Sequence, residues 1–204
     1  MSTTELTALL AFCAAMSFSP GPNTTLSAAL AANHGLKRAL RFCLAVPAGW
    51  IVLMLGCGLG LGALILGVPT LRWAVKIVGV AYMVWLACKL SGSARLAPVE
   101  AARLDVSFWG GMGLQFLNIK AWMLALTLTA GWVVNASGQP SANPWQRLAI
   151  VCAVMIVFAF GSNFTYALAG SLLRQFLALG NRLLWYNRTM ALVLLATAAW
   201  MLDT

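Results

Sequence analysis

The sequence predicts an all-α integral membrane protein of six transmembrane helices in two inverted three-helix repeats, the first helix of each repeat being broken. Three observations predict this. Residues are 62% hydrophobic and only 8% charged, against about 25% charged in an ordinary soluble domain. The apolar residues gather into six continuous runs of bilayer length. The first and fourth runs carry helix-breaking or polar residues near their middles.

The shortage of charge excludes more than the net charge does. A net charge of +9 is compatible with a nucleic-acid-binding protein, but a soluble surface needs far more charge than 8% provides. The expected partner of most of the surface is therefore a lipid bilayer, with no nucleic acid. The runs are continuously apolar, whereas a membrane barrel alternates apolar and polar positions. Six helices occupy roughly 120 to 145 residues, which leaves short connections and no soluble domain, so residues 1–204 are one membrane domain.

The runs are Leu6–Asn33, Ala39–Leu66, Leu71–Leu90, Phe108–Val134, Leu148–Leu173 and Leu184–Leu202. Leu6 to Phe18 has the length of a signal-peptide core, but Glu5 precedes it and no Lys or Arg does, so a retained helix is expected. The connection after run one carries Lys37, Arg38 and Arg41, that after run three Lys89, Arg95 and Arg103, and that after run five Arg174, Arg182 and Arg188. The opposite side has Arg72, Lys76 and Arg147, and Lys120 is read as the one ionisable group inside a run. The positive-inside rule then places the basic connections in the cytoplasm and both termini in the periplasm.

Run one covers 28 residues, about 42 Å of helix at ~1.5 Å per residue, against a bilayer core of ~30 Å. Near its middle stands Ser19-Pro20-Gly21-Pro22-Asn23, where two prolines and a glycine remove donors and helix preference together. Asn23 and Thr24 are candidates to cap the restarting helix. Run four has a second weak point, Gln115 to Lys120, and an intramembrane lysine is by default a functional-site candidate. The competing reading has Lys120 snorkelling to an interface or capping a helix end. Each weak point opens a group of three runs. Three is odd, so the second group inserts upside down, as in many secondary transporters. The repeats are residues 1–92 and 107–204, joined by a cytoplasmic connector over 93–106.

Ser19-Pro20-Gly21-Pro22-Asn23, followed by His34-Gly35 and a basic stretch, resembles the start of the LysE/RhtB family of amino-acid exporters. Gly79-Val80-Ala81-Tyr82-Met83-Val84-Trp85-Leu86 with Lys89 looks like that family's third helix, and Phe116-Leu117-Asn118-Ile119-Lys120-Ala121-Trp122 like its Phe-x-Asn-Pro-Lys-Ala motif. The similarity covers nearly the whole chain. Ile119 stands where the family usually has proline, so the second break is expected to be milder, or held open by Asn118 and Gly113. The resemblance implies a bacterial inner-membrane secondary transporter, not an enzyme, exporting small amino acids or their derivatives.

An amino acid is a zwitterion, and both its charges need partners in a low-dielectric site. The free N–H groups of the helix restarting near Pro22 and Asn23 suit a carboxylate, and Lys120 supplies a full charge to the same group. Carbonyls freed at Ser19, Pro20 and Gly21, with amide oxygens such as that of Asn118, suit the ammonium. Asn163, Thr165 and Tyr166 form a polar cluster in run five that is expected to complete the pocket, interhelical hydrogen bonding being the alternative for Asn163 and Thr165. No acid lies mid-run, so neutral substrates fit better than dicationic ones. If proton exchange drives export, Lys120 is the candidate carrier. Oligomeric state is left open.

Other patterns carry less. Gly56 to Ala63 contains a Gly-x-Gly-x-x-Ala look-alike of the dinucleotide fingerprint, but no strand precedes it and no acid follows at about 20 residues. Glycines at 56 and 60, or 58 and 62, are instead expected to permit close helix approach. Cys13, Cys43, Cys57, Cys88 and Cys152 show no disulfide or metal spacing and are expected to pack, so neither cofactor nor metal is implied. Trp109, Trp132, Trp145, Trp185 and Trp200 fit an interfacial belt, whereas Trp50, Trp73, Trp85 and Trp122 are ambiguous. His34 is expected to be an ordinary interfacial residue. The competing functions are a membrane channel and a thiol-based transmembrane electron carrier. Saturation with counterflow separates a carrier from the first, and replacing all five cysteines tests the second.

Overall fold

Proline, glycine and one asparagine decide where the apolar runs become separate helices. A computed structural model describes residues 1–60, 68–92, 106–134 and 142–203. Helix α1 (Thr3–Phe18) starts at a capping box, in which Ser2 Oγ accepts from the Glu5 N–H and Glu5 accepts from the Ser2 N–H. It stops at Ser19, and α2 (Pro22–His34) restarts with proline in its first turn, where the missing N–H costs nothing. Gly21, not Asn23, is the N-cap. Its N–H donates to Thr24 Oγ1 at 3.0 Å and its carbonyl accepts from the same hydroxyl at 3.1 Å, so Thr24 does the capping and Asn23 is left for other work.

Gly35 turns the chain in one residue, with a left-handed φ of 85°. Helix α3 (Leu36–Gly58) therefore begins at once, and Lys37, Arg38 and Arg41 lie on its first turns, not in a connection. Lys89 likewise ends α4 (Pro69–Ser91), and Arg174 lies in the last turn of α7 (Pro144–Leu177), with Arg182 and Arg188 on α8 (Arg182–Asp203). Arg95, Arg103, nearly all of the 93–106 connector, Gly62, Ala63 and the end of run two fall outside the described residues.

Run four divides into α5 (Phe108–Leu117) and α6 (Ile119–Leu128), which ends in a π-helical turn over Thr129–Val133. The bend between the two parts is 71°. The expectation of a milder break is thus overturned. Asn118, extended at φ −97° and ψ 100°, makes the break alone, while Gly113 stays inside α5. Proline is dispensable here because the freed carbonyl of Phe116 accepts from the Trp122 indole at 2.9 Å.

α3, α4 and α7 are each long and apolar enough to cross a bilayer, and the bent α5–α6 pair together makes a fourth candidate. α7 is the hub, packing against α1, α2, α3 and the π turn, while α4 and α8 pair with each other. Close crossings use glycines that composition did not single out. A Cβ at Gly49 would lie 2.5 Å from the Met112 carbonyl, one at Gly111 would lie 2.8 Å from Ala45 Cβ, and those at Gly79 and Gly170 would meet the carbonyls of Leu117 and Ala28. Of the expected glycine positions, Gly58 lies close to α7, where a Cβ would be 3.1 Å from the Leu148 side chain, whereas Gly60 approaches no described residue within 4 Å.

Lys76 corrects the charge map. It is buried on α4 and donates to the Leu202 carbonyl at the end of α8, so Lys120 is not the one lysine within an apolar run. Cys13, Cys43, Cys57 and Cys152 are buried, but Cys88 is exposed. Trp109, Trp145, Trp185 and Trp200 are exposed as a belt requires, as are Trp73 and Trp85, whereas Trp50 and Trp122 are core. Trp132 instead packs on Phe12 and donates to the Glu5 carbonyl.

Candidate substrate site

The two breaks meet. Lys120 starts α6, and its ammonium donates to Ser19 Oγ at 2.6 Å, the Ser19 carbonyl at 3.2 Å and the Pro20 carbonyl at 3.5 Å. These carbonyls close the C-terminal end of α1, where the helix dipole is negative, so a cation is favoured there. Gly21 permits the approach, since a Cβ on it would lie 3.3 Å from Lys120 Nζ. Of the carbonyls expected to receive a substrate ammonium, those of Ser19 and Pro20 are therefore already engaged by Lys120 and that of Gly21 accepts from the Thr24 hydroxyl and the Thr25 N–H, so Lys120 closes a helix end, as the competing reading allowed.

Beside this contact lies a cavity of about 60 Å³. That is room for roughly four waters at about 15 Å³ each. Ser19, Gly21, Pro22, Asn23, Asn118, Lys120 and Asn163 line it, which brings seven of the nine expected site residues together. Pro20 contributes its carbonyl to Lys120 but does not line the cavity. Tyr166 does not line it either, because its hydroxyl donates to the Phe18 carbonyl at 3.0 Å and so helps close α1. Thr165 turns back on its own helix, donating to the Gly161 carbonyl, and takes no part in the pocket. The remaining wall includes Met16, Val46, Leu124, Met155 and Ala159, which are apolar, and among the described residues no acid.

Polar residues around the cavity divide into those that tie helices and those left over. Asn23 and Gln115 form a reciprocal amide pair, at 2.9 and 3.2 Å, between α2 and α5. Asn163 accepts from Ser27 Oγ at 2.7 Å and donates to the Ala159 carbonyl, which makes it an interhelical tie that also lines the wall. The first-turn N–H groups of α2, those of Asn23 and Thr24, have no intrahelical acceptor and carry the positive end of the dipole.

Sequence reasoning missed Trp50 and Ser162 in the wall, and also the buried Asn33–Asn187 pair, whose two amide bonds of 2.8 and 3.0 Å pin the far end of α2 to α8. An asparagine set in an apolar run was the available signal for that pair.

Residues 14–203 match the family described as LysE type translocator. The chain belongs to the LysE/RhtB family. It is therefore a membrane transport protein of an amino-acid-export family. Among its relatives, a cysteine/O-acetylserine efflux protein of Klebsiella pneumoniae is 29% identical over 91% of this chain and 92% of its own length. A protein of the same description from Escherichia coli O139:H28 is 30% identical over 97% of both chains. One from Salmonella choleraesuis is 30% identical over 86% of this chain and 87% of its own. No solved structure matches the chain significantly.

Proposed function

We propose that this protein exports small neutral amino acids or their derivatives from the bacterial cytoplasm across the inner membrane as a secondary carrier, with O-acetylserine and cysteine the first substrates to try. The observation that carries this reading is the meeting of two helix breaks at one small cavity bridged by Lys120. Broken helices around a midplane cavity are the recurring site of secondary transporters. The substrate carboxylate lies against the first-turn N–H groups of α2, within the field of Lys120. The ammonium turns to Asn118 and not to the α1 carbonyls, which Lys120 holds. The apolar wall takes a short side chain. With no acid lining the cavity, a second substrate cation has no counter-charge there.

The arrangement is six spans in inverted repeats, residues 1–92 and 107–204, with the 93–106 connector and the basic helix ends cytoplasmic and both termini periplasmic. Packing supports this reading. Exchanging spans one, two and three for four, five and six turns the contact of α1 and α2 with α7 into that of α5 and α6 with α3. The same exchange turns α2 on α8 into α5 and α6 on α4, and leaves α3–α7 and α4–α8 unchanged. A growth screen with excess individual amino acids tests the function. Expression should relieve inhibition by O-acetylserine or cysteine and leave inhibition by lysine unrelieved. Relief by none of the neutral amino acids would count against it.

A further inference from the structure

Two buried polar atoms of residues in the cavity wall have no hydrogen-bond partner among the described residues: the indole N–H of Trp50, on α3, and the amide oxygen of Asn118, at the second break. Both residues line the cavity, and both are nearly fully buried, at 3% and 2% exposure. Buried polar groups are almost always paired, because an unpaired one forfeits its water without recompense. One orphan is a donor and the other an acceptor, and they come from different halves of the chain. Other polar side chains of the wall are already committed, Asn23 to Gln115, Asn163 to Ser27 and Lys120 to Ser19, while the first-turn N–H groups of α2 stay open beside them. A solute bonding to both must carry an acceptor and a donor, as an α-amino acid does in its carboxylate and ammonium.

We propose that Trp50 is a substrate-specificity residue whose indole N–H donates to the carboxylate of the transported amino acid, with Asn118 accepting from its ammonium. This rests on the export reading above and adds a residue and a chemical group to it. The desolvation of both atoms is already met in the folded chain, so a ligand reaching them by a small side-chain rotation gains nearly the full strength of each bond. The contact discriminates against amino-acid amides, which offer no negative charge to the indole.

Trp50→Phe keeps one aromatic ring and removes the N–H together with the second ring. In proteoliposomes, the KM for O-acetylserine should rise about 10- to 100-fold, the loss expected for a hydrogen bond to a charged group. With 3-benzothienylalanine at position 50, which keeps the bicyclic shape without the N–H, the unliganded melting temperature should stay level or rise, since an unpaired donor has been removed. The preference for O-acetylserine over its carboxamide should shrink by a similar factor. Should the smaller ring of Phe unsettle the fold, the 3-benzothienylalanine protein gives the same comparison. An unchanged KM, or equal losses for the acid and the amide, overturns the assignment of Trp50. Absence of any saturable amino-acid transport by the parent protein overturns the export reading instead.

Discussion

Lys120 and Ser19, 101 positions apart in the chain, are joined by a 2.6 Å hydrogen bond from the lysine ammonium to the serine hydroxyl, backed by a 3.2 Å bond to the serine carbonyl. The contact ties the start of one half-helix to the end of another. It also places a cation among backbone dipoles, with no acid among the described residues of the wall around it. Lys120→Gln removes the charge and leaves the Ser19 and Pro20 carbonyls without it, and efflux should be abolished. Lys120→Arg keeps the charge but replaces a compact ammonium by a planar fork, and little efflux should remain. Efflux assays on membranes with matched protein levels check both. Parental efflux from the Gln variant would remove Lys120 from the mechanism.

How the breaks were legible differs between them. Ser19-Pro20-Gly21-Pro22 is written in residues whose backbone chemistry forbids a continuous helix, so composition alone located it. The second break lacks proline, and its 71° bend depends on Trp122 reaching back to the Phe116 carbonyl, a tertiary contact that no local rule reveals. Lys120, Asn118 and Asn163 were found as polar residues in apolar runs. Trp50 was not, because an indole in an apolar helix reads as packing until its unpaired N–H is seen. Tyr166 and Thr165 were misplaced because spacing along one helix does not say which face meets the cavity.

Gly79 and Gly113 make a matched pair. A methyl on Gly79 would run into the Leu117 carbonyl at the second break, whereas one on Gly113 would meet nothing within 4 Å. Gly79→Ala should destabilise the protein by about 1–3 kcal/mol, as overpacking does, and reduce efflux. Gly113→Ala should be neutral or stabilising by up to about 1 kcal/mol through helix propensity. Thermal unfolding in detergent compares them.

Asn33 and Asn187 exchange two amide bonds while buried between α2 and α8. Replacing either by Leu leaves the other amide short of partners and should cost about 1–3 kcal/mol. The double replacement should cost less than the sum of the two, and a double-mutant cycle on thermal unfolding measures the difference. Strict additivity would mean that the pair is not coupled.

Glu5 lies at the opposite end of the molecule from Arg174. The Ser2 N–H, and then Arg147 at 3.0 Å, hold its carboxyl at about 2, below the ordinary 4.5. A carboxyl depressed in the folded state stabilises the fold above its unfolded value. That contribution fades as pH falls from about 4.5 towards 2 and is gone below it. Exposure of the pair keeps the contribution small. The melting temperature of Glu5→Gln should therefore lie below that of the parent at neutral pH, and the two should converge as pH falls through this window. A constant difference down to pH 2 would place the effect of Glu5 outside its ionisation.

Counterflow is the most direct test of the account. Purified protein in liposomes preloaded with unlabelled O-acetylserine should accumulate the labelled compound transiently and saturably, and Lys120→Gln should abolish this. Flux that rises linearly with concentration, with no acceleration by internal substrate, would mean a channel and contradict a carrier site at the meeting of the two breaks.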